Sequence, residues 1–137
     1  MKTTIPFNKT VKYVLTIPFL LFAIHVFGQE KTCLDFKVGT FVYSDPDYAD
    51  LVTVRNDSLQ TDSYPAMGWE TTCRVSWLTE CKYEIEYIRV NNPMMEGLIG
   101  IKYVIEIINI DQNKILCKTE SEGIVVEKEM ILTATDH

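Results

Sequence analysis

Histidine is scarce in this chain of 137 residues: only His25 and His137 occur. One lies in an apolar N-terminal stretch and the other is the last residue, so Ser-His, Cys-His and His-based metal sites have no framework. Glycine is sparse too, at six residues, and neither G-x-G-x-x-G nor G-x-x-x-x-G-K-[ST] is present, which removes the usual nucleotide-phosphate cradles. Basic residues are outnumbered, 13 against 19 acids. Nucleic-acid affinity comes largely from Lys and Arg neutralising phosphates, so DNA and RNA are poor partners. No internal repeat and no low-complexity tract interrupts the chain, and no cofactor is implied.

What is present begins with a leader. Lys2, Lys9 and Lys12 precede an almost unbroken apolar run from Val14 to Phe27, and Gly28 offers a small residue for cleavage. The pattern predicts a signal peptide over 1–28 and a single domain over 29–137. A membrane anchor would need about 20 apolar residues, and this run is shorter and broken by Thr16, Pro18 and His25. The expected protein is therefore secreted or periplasmic, with no stable membrane insertion after cleavage. Losing three lysines takes the net charge from −6 to −9, a balance better matched to a cationic protein or a divalent cation than to a polyanion.

Four cysteines follow the leader: Cys33, Cys73, Cys81 and Cys117. An even number in an exported chain predicts two disulfides. A four-cysteine zinc site normally shows pairs two to four residues apart, and the nearest pair here, Cys73 and Cys81, is wider than that. Among the three pairings, Cys33 with Cys81 and Cys73 with Cys117 is preferred, because Cys73 and Cys117 fall mid-strand while the other two lie where strands begin or end.

The rest of the sequence is a succession of short β-rich runs and turn residues. The runs are Lys37 to Tyr43, Leu51 to Arg55, Leu59 to Tyr64, Thr71 to Leu78, Lys82 to Val90, Ile101 to Ile110, Lys114 to Thr119 and Ile124 to Leu132. Cys73, Val75 and Trp77 share one face of the fourth, and Tyr83, Ile85 and Tyr87 share one face of the fifth, with charged or polar residues between them. Ile101 to Ile110 is almost continuously apolar and reads as a strand buried on both faces. No segment combines a helical apolar period with a good cap.

Eight sequential strands with tight connections predict an all-β antiparallel meander. Closing it into a small, disulfide-bonded, lipocalin-like barrel would remove exposed edges. A barrel of this strand number is either filled by side chains or holds one small ligand. Strands of five to nine residues argue for a shallow cavity at best.

The segments Cys33-Leu34-Asp35-Phe36-Lys37-Val38-Gly39-Thr40-Phe41 and Trp77-Leu78-Thr79-Glu80-Cys81-Lys82-Tyr83 resemble landmarks of small exported bacterial proteins of unknown function. The shared pattern is Cys-x-x-Phe-x-x-Gly-x-Phe, then Trp-x-x-x-Cys-x-Tyr. Such relatives sometimes carry the label DNA topoisomerase IV. Its chemistry does not fit a chain this short, acidic and exported. The opening Gly-x-Phe strand before a meander also looks like a reduced lipocalin-type barrel, a likeness of fold alone.

Candidate sites are few. Asp45, Asp47 and Asp50 offer carboxylate oxygens to Ca²⁺, but the loop lacks the Gly and distal Glu of an EF-hand, and a charged interstrand turn is the simpler account. Glu84 and Glu86 share the polar face of a strand, which suits solvated surface acids better than a glycosidase pair. Phe36, Phe41, Tyr43, Trp77, Tyr83 and Tyr87 at strand spacing are core candidates before they are ligand contacts. Trp69, after Pro65-Ala66-Met67-Gly68, joins Met94 and Met95 as the surface candidates for binding. These features predict a non-catalytic binding or interaction module that recognises a protein or cell-envelope component. The alternative is a lipocalin-like carrier of a small hydrophobic ligand. An enclosed apolar cavity of roughly 300 Å³ or more would favour the carrier, and a packed interior the module.

Overall fold

The eight strands expected from the sequence all form, and they close into one antiparallel barrel in simple chain order. The computed structural model describes residues 28–135. The expected leader (all but Gly28), His25 and His137 lie outside the described residues. The strands are β1 (Gly39–Tyr43), β2 (Val52–Arg55), β3 (Leu59–Tyr64), β4 (Trp69–Trp77), β5 (Lys82–Val90), β6 (Lys102–Asp111), β7 (Lys114–Ser121) and β8 (Ile124–Ala134). Short 3-10 turns at Cys33–Phe36, Pro46–Tyr48 and Pro93–Leu98 supply the only helical structure among the described residues.

Closure comes from β1 pairing with both β2 and β8. Phe41 lies opposite Leu132 and Tyr43 opposite Met130, with a bulge between Thr40 and Phe41. Gly39 makes this seam possible. Its φ is +145°, and a Cβ there would stand 2.6 Å from both the Ala134 carbonyl oxygen and Leu132 Cδ1, so only glycine lets the two strands approach. At the β7–β8 turn, Glu122 and Gly123 both take positive φ, the geometry that matches a two-residue hairpin to strand twist.

Because the meander alternates direction, the two ends differ. One end gathers the starts of β1, β3, β5 and β7, and it is closed. Phe36, fully buried, fills it from the Cys33–Phe36 turn and packs with Phe41, Ile107, Ile115, Cys117, Met130 and Leu132. Burying such a phenylalanine contributes about 2–3 kcal/mol. The Cys33–Cys81 disulfide fastens this plug to the loop between β4 and β5. The pairing expected for these two cysteines is therefore present. The second expected bridge is not: Cys73 and Cys117 are free and buried. They lie on β4 and β7 with β5 and β6 between them. At about 4.8 Å per strand step, that separation exceeds the roughly 7 Å Cα limit for a bridge.

The strand faces follow the predicted alternation on β4 and β5, where Val75, Tyr83 and Ile85 point inward. Arg74 and Glu86 pair at 3.0 Å, and Lys102 and Glu84 at 3.6 Å, so the two acids belong to the solvated surface. On β6 the expectation of burial on both faces fails. Ile107 is buried, but Val104 and Ile108 are exposed, because a barrel strand has only one interior face. Among the described residues no helix is long and apolar enough to cross a membrane.

Candidate functional site

The interior beyond the closed end is hollow. A cavity of about 630 Å³ runs from the middle of the barrel to the opposite end. The expectation of a shallow cavity is thus corrected. The strands run from four to eleven residues rather than five to nine, and the two long connections at that end extend the walls: residues 44–51 and 91–101. Tyr48 and Leu51 enter from the first, while Met95 and Leu98, three residues apart on the Pro93–Leu98 turn, enter from the last.

Asn91 holds this rim together. Its side chain donates to the Gly68 carbonyl and accepts from the Glu70 amide, both at 2.8 Å. That ties the turn between β3 and β4 to the loop after β5. Two of the three expected binding residues are consequently brought together, since Trp69 and Met95 both line the cavity. Met94 does not: Asn92 caps its amide, the chain turns, and its side chain is 88% exposed.

The aromatic residues divide by depth. Phe36, Phe41 and Trp77 are packed toward the closed end, as core reasoning expects. Tyr43, Tyr48, Tyr64, Trp69, Tyr83, Tyr87 and Tyr103 line the cavity. Tyr87 and Tyr103 meet edge to face with centroids 6.2 Å apart. Near the rim, Lys128 Nζ sits 3.2 Å from the centroid of the Tyr48 ring.

The polar side of the cavity comes from β2 and β3, and the sequence reading missed it. These strands turn polar residues inward and apolar ones outward. Thr53, Arg55 and Gln60 are buried, and Asp62 faces the cavity, while Val54 and Leu59 are exposed. Register places Thr53 opposite Asp62 and Arg55 opposite Gln60. The Thr53 hydroxyl donates to Asp62. With its single hydrogen so used, it accepts from the Tyr43 hydroxyl at 3.2 Å. Gln60 Nε2 donates to both Asp62 oxygens at 3.2 Å.

Gln60 Oε1, in a residue only 4% exposed, has no hydrogen-bond partner among the described residues. Asp62 retains some accessible surface, but that surface belongs to the cavity and the carboxyl is otherwise enclosed by protein. Burial raises its pKa, against the lowering effects of Thr53, Gln60 and Arg55. The Tyr43 and Tyr87 hydroxyls are also pushed up by burial first. They are neutral donors and acceptors across the working range.

Arg55 lies beneath this cluster rather than in the cavity wall. Its guanidinium carbon is 4.5 Å from the Tyr83 centroid, 4.7 Å from Phe41 and 5.8 Å from Trp77. Nη2 donates to the Phe36 carbonyl at 3.3 Å, while Nε and Nη1 have no hydrogen-bond partner. Ring faces take the place of acceptors, a cation–π arrangement.

The carboxylates of Asp45, Asp47 and Asp50 do not converge as a ligand group. Asp45 accepts from the Asp47 amide at 2.9 Å, capping the Pro46–Tyr48 turn. Among the described residues no three His, Cys, Asp or Glu side chains converge as metal ligands. Among the described residues Asp62 is the one carboxylate in the cavity lining, so a paired-acid hydrolysis finds no second carboxyl among them there. In comparisons with known proteins, no family model, no curated protein and no solved structure matches the chain.

Proposed function

We propose that the barrel is a non-catalytic binding protein that takes a small, largely apolar molecule into its cavity, in the manner of a lipocalin-like carrier. The observation that carries this is the cavity. Its volume of about 630 Å³ falls within the range of small-molecule sites, which are apolar pockets with a few convergent polar groups. Ile85, Ile105, Met95, Leu98 and Met130 supply the apolar walls, and Gln60 and Asp62 the polar groups. The Cys33–Cys81 bond supports a working place in an oxidising compartment, secreted or periplasmic. Met67, Met94 and Ile99 stand exposed on the loops of the open end. They support a second reading, in which this end grips a protein or envelope component.

Fluorescence titration with N-phenyl-1-naphthylamine, a neutral probe that brightens in apolar sites, tests the carrier. The expected result is saturable one-to-one binding, weakened about tenfold or more by Thr119→Trp, which places an indole in the cavity. Absence of saturable binding, or binding unaffected in a folded Thr119→Trp protein, would overturn the carrier in favour of the second reading.

A further inference from the structure

Resting on the carrier reading, we infer that the cavity selects an organic primary ammonium: a protonated amine on an apolar body, with the amine at Asp62 and Gln60 and the body among the tyrosines. Three observations on different residues point this way.

The first is the balance of acceptors over donors on the polar wall. Thr53 and Gln60 Nε2 already give their hydrogens to Asp62, and Tyr43 gives its own to Thr53. Gln60 Oε1 remains an acceptor without a donor, nine-tenths buried. An ammonium carries three N–H donors and no acceptor, so it is matched by the Asp62 oxygens of the lining, with Gln60 Oε1 a further unmet acceptor in the same wall. A carboxylate would meet two acceptors, and an alcohol could satisfy only one of them by donation.

The second is charge. Asp62 is the carboxylate of the lining, and the burial that makes its ionised form costly is offset by a cation alongside it. Arg55 does not fill that role by contact. No hydrogen bond joins it to Asp62, and its guanidinium is held by the faces of Phe41, Tyr83 and Trp77 and by the Phe36 carbonyl. Lys128, the other charged side chain of the lining, sits toward the rim on Tyr48.

The third is the aromatic wall. Tyr43, Tyr64, Tyr87 and Tyr103 line the same cavity as Asp62, and tyrosine faces attract ammonium groups. The Lys128–Tyr48 contact shows the same pairing built into the rim.

The test is displacement of N-phenyl-1-naphthylamine by three matched ligands at neutral pH: n-octylamine, 1-octanol and octanoate. The amine is expected to compete about tenfold or more better than the alcohol, with octanoate weakest. Asp62→Asn should cut the amine's advantage over the alcohol to within about threefold, read as the ratio of the two competition constants on the same protein. Octanol or octanoate equalling the amine on the wild-type protein would overturn the inference while leaving the carrier intact, and this comparison needs no variant to fold. An amine preference that persists in folded Asp62→Asn would also overturn it. If the probe itself does not bind, the carrier reading fails and the inference with it.

Discussion

Thr53 and Asp62 face each other across β2 and β3, and the threonine hydroxyl donates to the carboxylate inside the barrel. The pair sits where a small barrel would ordinarily place apolar side chains. Burial dominates the acid and raises it above its ordinary 3.8. A carboxyl that is harder to ionise in the folded chain than in the unfolded one supports the fold most below the unfolded value. That support is lost as pH rises through the raised folded value. The stability of Asp62→Asn relative to wild type should therefore grow as pH rises above the ordinary carboxyl value of 3.8, as read by urea unfolding. A difference that is flat or shrinks with pH would contradict the placement of Asp62.

Arg55 makes a separate prediction. Its charge is buried against three rings, with two of its nitrogens unpaired. Arg55→Lys keeps the charge but loses the planar stacking surface, and should cost roughly 3 kcal/mol. Arg55→Met removes the charge and keeps the bulk, and should cost less, about 1–2 kcal/mol. Chemical denaturation of both variants gives the order directly, and the reverse order would show that the charge itself supports the fold.

How much of this was legible in the sequence depends on the strand. On β4 and β5 the inward set of Val75, Tyr83 and Ile85 is apolar and the outward set charged, so alternation alone identifies the interior. On β2 and β3 the same rule points the wrong way, because Val54 and Leu59 are the apolar residues and they face solvent. The inward Thr53, Arg55, Gln60 and Asp62 make sense only around a cavity or a cation–π stack, and neither is visible before closure brings Phe41, Tyr83 and Trp77 over Arg55. The clue available beforehand was alternation without an apolar face, Gln60-Thr61-Asp62-Ser63, in a strand with neighbours on both sides. Trp69 and Met95 are legible as large apolar residues in predicted loops, although Trp69 in fact opens β4. Met94 was grouped with them by adjacency, and only the turn at Asn92 separates the two methionines. The second disulfide does not form because position within a strand says nothing of distance around a barrel: Cys73 and Cys117 stand three strands apart.

The sulfur chemistry is directly measurable. Burial pushes the Cys73 thiol up to about 12 and the Cys117 thiol to about 11, so both stay protonated and shielded at neutral pH. Ellman's reagent should find no reactive thiol in the native protein, two in denaturant and four after reduction. Zero in denaturant would restore the second bridge. Reduction of Cys33–Cys81, which closes a separation of 48 residues, should cost roughly 2–4 kcal/mol.

Closure of the barrel rests on Gly39. Gly39→Ala must move the β8 backbone at Ala134 and force an alanine to φ +145°, so it should cost roughly 2–3 kcal/mol in thermal or chemical unfolding. Gly97→Ala, with open space around the added Cβ, should change stability by less than about 0.5 kcal/mol. Equal effects at the two sites would mean that the β1–β8 seam is not a tight contact.

The most direct measurement of the central claim is methyl NMR of the isotopically labelled protein during titration with N-phenyl-1-naphthylamine. Saturable shifts should concentrate at Ile85, Met95, Leu98, Ile105 and Met130, the methyl-bearing walls of the cavity, and leave the outward Ile108, Ile124 and Val125 where they were. Shifts confined to those outward residues, with the cavity methyls unmoved, would contradict it.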